Sequence, residues 1–270
     1  MTCQTYPKPL TPAMDRPLEG AEKDLVNQMI QTIDRPDVLT EQVVVGSKFL
    51  AVIAGNRMGL SSLLDAVPKQ EEIALVQTLL GKPIGEAVSL IQTPAPFLIS
   101  LGVAALNAAN APDPDMVEPS NFPAENLIAH LGKEKITGLV GEFPFTKQLA
   151  QRVGTLHLFE LKPVPNSLPR DLWEIMLPKL DVLAITATTL LTRQMAWYLS
   201  RAPQAKIVIL GPTTPNAMVL FEYGVNYLCG SVVTDMEKVA ASIEAGCCFK
   251  DIKKNGGIIF TQHQFSKHKK

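Results

Sequence analysis

The residues best suited to chemistry in this sequence cluster at the ends of four short apolar runs. Gly141-Glu142-Phe143-Pro144 follows Ile136 to Val140, and Glu160-Leu161-Lys162-Pro163 closes the run Leu156 to Leu161. Thr186-Ala187-Thr188-Thr189 follows Val182 to Ile185, and Gly211-Pro212-Thr213-Thr214-Pro215 follows Ile207 to Leu210. If the runs are neighbouring parallel strands, these tips lie side by side. Ligands of open parallel sheets bind there, because helix N-termini point unpaired N–H groups at a common crevice. Gly211 permits a backbone turn, Thr213 or Thr214 can cap a helix, and Pro215 suits a first helical turn. Thr188 and Thr189 offer the same from the third loop, so two helix ends together favour a carboxylate or phosphate. Taken singly, each loop is ordinary capping; only their convergence points to a ligand.

Glu160 stands about 20 residues after the first turn, where dinucleotide-binding domains hold an acid against ribose hydroxyls. The first turn has Gly141 but neither of the two glycines that let a backbone approach a pyrophosphate. A conventional NAD enzyme is therefore disfavoured, while an enzyme using a nucleoside-type cofactor such as S-adenosylmethionine stays open as the alternative. Cys3, Cys229, Cys247 and Cys248 include no CxxC pair, and His130, His157, His263 and His268 are isolated, so no local zinc spacing is visible. His157 lies in an apolar run and reads as a core imidazole. Glu142, Glu160 and Glu222 would suit a hard cation only if the fold gathers them. Asn56, in the turn Gly55-Asn56-Arg57, is a polar point that could face a crevice, and Asn107 lies near the end of an otherwise apolar helix; turn chemistry is the better explanation for each. No nucleophile elbow, Walker loop or Cys-His arrangement is present, so whether the protein is catalytic is not legible from motifs.

The elements that must position these residues fall into two groups. Helical spacing runs from Ala21 to Ile33, and β-rich Val43 to Gly46 and Phe49 to Ala54 form an extended pair ending near Gly55 and Asn56. Helices over Glu71 to Leu80, Ile84 to Ile91 and Phe97 to Ala109 complete an α+β domain, residues 21–110. Ala111 to Pro123 holds four prolines and reads as an exposed linker, 111–124. Beyond it, over 125–250, the four runs and Val225 to Leu228 alternate with helices at Phe145 to Val153, Leu168 to Leu177, Leu190 to Ser200, Asn216 to Phe221 and Met236 to Ala245. That rhythm predicts a parallel sheet covered on both faces, a Rossmann-like C-terminal domain. A disordered leader (1–20) and a C-terminal hairpin about Asn255, Gly256 and Gly257 with a frayed tail (251–270) bracket the α/β fold.

Composition narrows the function classes. A net charge of -1 with both signs interspersed gives no footprint for nucleic acid and no polybasic membrane anchor. The longest apolar stretches fall short of the roughly 20 residues of a spanning helix. With no secretory segment and no disulfide framework, a cytoplasmic protein with reduced thiols is the expectation.

Val140-Gly141-Glu142-Phe143-Pro144, Gly211-Pro212-Thr213-Thr214-Pro215 and Val219-Leu220-Phe221-Glu222-Tyr223-Gly224 resemble signature stretches of a bacterial and archaeal domain of unknown function described as "putative heavy-metal chelation". The stretch Gly46 to Asn56 and the helix around Leu101 to Asn107 are similar to that family's N-terminal portion. The resemblance implies an enolase N-terminal-like domain joined to a Rossmann-like domain, with the active site in the cleft between them. Glu142 stands where a relative carries His, which weakens a His-centred metal site. A transition metal handled as a complex with a small organic chelator meets that departure, with the anion-friendly loops holding the chelator. The expected partner is thus a small molecule or metal complex, and a noncatalytic homo-oligomer is a third reading.

Overall fold

The structure is a computed structural model that describes residues 18–64, 68–120, 122–162 and 164–265. Most of the expected leader, with Cys3, lies outside the described residues, as do Pro163 and His268. Leu18, read as leader, already packs against the core.

In the N-terminal half, α1 (Gly20–Gln31) precedes β1 (Thr40–Val45), β2 (Phe49–Ala54) and β3 (Arg57–Ser62), an antiparallel sheet in the order β1-β2-β3. Three helices follow: α2 (Gln70–Leu79), α3 (Ile84–Ser89) and α4 (Pro96–Asn110). The extended pair ends at Gly55 and Asn56 as expected, but these residues turn the chain into a third strand, β3, that the sequence did not suggest. Gly59, Ser61 and Ser62 dilute the strand pattern of β3, and Gly59 is there for packing. A Cβ at Gly59 would lie 2.1 Å from the Ala108 nitrogen and 2.2 Å from the Ala104 oxygen, so α4 rests directly on the strand backbone. Every residue of α4 from Phe97 to Asn110 is buried, which its many alanines permit.

The C-terminal half contains α5 (Ala124–Leu131), β4 (Ile136–Val140), α6 (Thr146–Ala150), β5 (Thr155–Phe159), α7 (Trp173–Met176), β6 (Val182–Thr186), α8 (Met195–Arg201) and β7 (Lys206–Leu210). It closes with β8 (Val225–Val233), α9 (Met236–Glu244), α10 (Phe249–Asn255) and β9 (Ile258–Gln264). The sheet order is β5-β4-β6-β7-β8-β9, parallel except for β9. The fold is therefore α/β: a mostly parallel six-stranded sheet and a separate small antiparallel sheet. The central strands β4, β6 and β7 are buried on both faces, as their continuous apolar runs require, while the edge strands β5 and β9 are only partly covered. Leu139, Leu158, Ala184 and Val208 face α5 and α6, while Phe159, Leu183, Ile185 and Ile207 share a core with α7, α8 and the N-terminal helices.

Several expected elements are corrected. The terminal hairpin does not form: Asn255 ends α10, Gly256 terminates it at a φ of 87°, and the chain returns as β9 along β8. The Asn-Gly-Gly sequence serves a helix end here. Helix α5, which starts directly after Pro123 at the end of the proline-rich segment, is not among the helices the sequence suggests. The helix expected at Leu168 to Leu177 is a chain of short turns around four-residue α7, and Asn216 to Phe221 contains only a 3-10 turn, Met218–Phe221. The helix expected from Leu190 starts at Met195, because Thr189 and Thr192 hydroxyls bond nearby backbone carbonyls instead.

The two halves are not loosely tethered. One hydrophobic core runs through both, and a second joins Val44, Ala51 and Ile53 of the small sheet to Val239, Ile243 and Ile252. The crossing segment is fixed at each end: Arg35 and Arg57 both donate to the Ala111 carbonyl, and the Ser120 N–H donates to Phe260 O at 2.8 Å.

Candidate functional site

The register brings the carboxyl ends of β5, β4, β6 and β7 into one row, and the strand order reverses between β4 and β6. At this point chain connections leave in opposite directions and open a crevice. Glu160 braces its floor. Its Oε2 accepts from the Glu142 N–H at 2.9 Å and its Oε1 from the Leu161 N–H at 2.8 Å, so the carboxylate that a ribose would need is already engaged. Next to it, Gly141 lies against the Thr186 side chain, and Thr186 and Thr188 share a hydroxyl hydrogen bond of 2.9 Å. Thr189 donates to the Thr186 carbonyl. Behind the row, burial pushes the Tyr198 phenol far up, and the Glu160 carboxylate adds to that shift.

The expected pair of anion-binding helix ends is absent. Thr186, not Thr188 or Thr189, caps a three-residue 3-10 turn, and no side chain caps the turn after Gly211. Thr213 and Thr214 do something else: the Gly211–Pro215 loop fastens the two halves together. The Ser62 N–H donates to Thr213 Oγ1 at 3.0 Å, and the two hydroxyls lie 3.0 Å apart. Asn107 Nδ2 donates to Leu60 O at 2.8 Å and to Thr213 O at 3.4 Å. Asn216 Nδ2 donates to Asn110 O at 2.7 Å, and Thr214 Oγ1 to Cys229 O at 3.2 Å.

Beneath this loop, between β3, α4, β8 and β9, lies a cavity of about 20 Å³, lined by Leu60, Asn107, Thr214, Asn216, Ser231 and His263 among others. Asn107 Oδ1, Asn216 Oδ1 and Ser231 Oγ are buried without a hydrogen-bond partner. Buried polar atoms in native proteins are nearly always paired, so three on one cavity mark a place that a polar group completes. None of the described lining residues is Asp, Glu, Lys or Arg, and burial lowers the pKa of His263, which keeps the lining neutral.

The other sequence candidates are scattered. Asn56 is exposed in the β2–β3 turn and lines none of this cavity. Glu142 is exposed at the β4 tip. Glu222 is exposed three residues before Val225, and β8 pairs there with Ile207, so Glu222 lies at the amino edge of the sheet, opposite Gly141 and Gly211. The three glutamates therefore form no cluster, and among the described residues no group of three His, Cys, Asp or Glu could hold a metal ion. Burial pushes the Cys229 thiol up to about 12, where thiolate is scarce, and Cys248 Sγ donates to Asp251 Oδ2 at 2.8 Å. These residues do not fit a bare heavy-metal ion. Sequence reasoning missed Asn216, Ser231 and His263. Asn107, an amide inside a wholly buried helix, was the legible signal.

A family model described as "putative heavy-metal chelation" (DUF364) matches residues 125–262, and a second with the same description (DUF4213) matches residues 26–110. The chain belongs to this family. A family member of known structure from Desulfitobacterium hafniense, described as a protein with unknown function, superposes with a TM-score of 0.79 at 25% identity, covering 89% of this chain and 98% of that one. One from Pyrococcus horikoshii, described likewise, gives a TM-score of 0.72 at 19% identity over 91% of this chain and 100% of the other, a likeness of fold. An uncharacterized protein, MJ0500, of Methanocaldococcus jannaschii is 28% identical over 145 residues, 52% of this chain and 56% of that protein. The match thus spans about half of that curated relative. Among the described residues no helix is long and apolar enough to cross a membrane.

Proposed function

We propose that the protein binds a small polar organic molecule in the cavity between its two halves, and that a heavy metal, where one is handled, arrives as cargo inside an organic complex. The observation that carries this reading is the set of three buried oxygens, on Asn107, Asn216 and Ser231, left unpartnered at one cavity. They come from both halves of the chain, so a ligand there also ties α4 to the loop after β7. That no carboxylate, thiol or imidazole cluster forms among the described residues argues against chelation by those side chains and for recognition of a complex through its organic part. The strand-tip residues Gly141, Glu160 and Thr188 lie in the same row as Gly211 and can contact a larger ligand that reaches beyond the cavity.

Native mass spectrometry of protein purified without chelators, with metal analysis of the same sample, tests this. A stoichiometric small molecule that Asn107→Leu and Asn216→Leu both lose supports the reading. A bare metal ion retained by both variants, or no bound species from any purification, overturns it.

A further inference from the structure

The chemistry of the cavity wall says what kind of group it takes, an inference that rests on the cavity being the ligand site. The Asn107 amide nitrogen is committed to Leu60 O and Thr213 O, and the Asn216 amide nitrogen to Asn110 O. Those bonds fix how both amides are turned, and what each has left is its carbonyl oxygen, an acceptor. Asn107 is only 8% exposed, so solvent does not serve that oxygen. Ser231 adds a hydroxyl, which donates or accepts. The wall thus offers two amide oxygens that only a donor satisfies, beside the adaptable Ser231 hydroxyl and the His263 imidazole, and none of its described lining residues is Asp, Glu, Lys or Arg to neutralise an ion.

A carboxylate or phosphate carries no donor and so leaves both amide oxygens unsatisfied. An ammonium brings donors but also a charge, and an unpaired buried charge is far costlier than an unpaired dipole. A hydroxyl gives its proton to an amide oxygen and takes one from Ser231. Size agrees: about 20 Å³ admits one group the size of a water molecule. We propose that the Asn107–Asn216–Ser231 cavity receives an uncharged hydroxyl group of the ligand, so that the substrate class is polyol-like or sugar-like at this end. The anion preference expected from the Gly211–Pro215 loop does not extend to this cavity.

The test is three parallel soaks of crystals of the full chain, in ethylene glycol, methylammonium chloride and sodium acetate. Expected is a glycol hydroxyl within hydrogen-bond distance of Asn107 Oδ1 or Asn216 Oδ1, absent from both Asn107→Leu and Asn216→Leu, with neither ion taking its place. Because Asn107 also ties α4 to two carbonyls, Asn216→Leu keeps the test decisive if the first variant fails to fold. Acetate or methylammonium in the cavity overturns the hydroxyl inference while leaving the site reading intact, and a water retained in all three soaks overturns it as well. A co-purified ligand found elsewhere on the protein removes the site reading itself.

Discussion

Glu22 is the sharpest point at which the joining of the two halves can be tested. It sits on α1, yet its Oε2 accepts from the Ala196 N–H at 2.8 Å, at the first turn of α8 in the other half. Its Oε1 is buried without a partner. Burial raises its carboxyl pKa from 4.5 to about 7, against the lowering effect of the Ala196 and Met195 N–H groups and the Arg193 charge. The folded protein therefore holds this proton over a window, pH 4.5 to 7, in which the unfolded chain has released it. More protons bound in the folded state means that stability falls as pH rises through that window and levels off above it. A shift of this size corresponds to about 3 kcal/mol. Glu22→Gln retains a carbonyl acceptor for Ala196 and removes the titration. Urea denaturation of both proteins at pH 4.5 and pH 8 should show near-equal stability at the lower pH and the variant more stable by about 3 kcal/mol at the higher. An equal difference at both pH values would refute the reasoning.

Other consequences follow from single contacts. Gly59→Ala forces a methyl into the backbone of α4 and should cost about 3 kcal/mol or more in a denaturant titration, beyond usual overpacking because backbone must move. Thr213→Val leaves the Ser62 N–H unpaired in the joint and should cost about 1–3 kcal/mol, with faster hydrogen exchange at Ser62. The His263 imidazole, desolvated between the halves, should titrate by NMR below 6.5; its depressed pKa stabilises the fold above 6.5, and this contribution is lost as pH falls through the folded value. A normal titration there would mean that water reaches β9 freely.

Much of the architecture was legible because apolar runs carry it. Ile136–Val140 was bounded correctly, and β6 and β7 differ from their runs by one residue. What failed were elements that tertiary contact decides. β3 looks like a turn because Gly59 yields its side chain to α4, and the terminal Asn-Gly-Gly looks like a hairpin although it stops a helix. The row of strand tips was foreseeable from topology rules, whereas its use was not. Glu160 braces the Glu142 turn, and Thr213 holds Ser62, a partner 151 residues away. The cavity residues were hidden for the same reason: Asn107, Asn216, Ser231 and His263 come from four separate segments, and no local spacing links them.

The most direct measurement is a crystal structure of the full chain purified from cells without chelators or added ligand. The account predicts electron density for an organic molecule between the halves, with an oxygen within hydrogen-bond distance of Asn107 Oδ1 or Asn216 Oδ1, and with any metal held by that molecule. A metal ion bound directly by protein side chains, or a ligand seated away from this cavity, would contradict it.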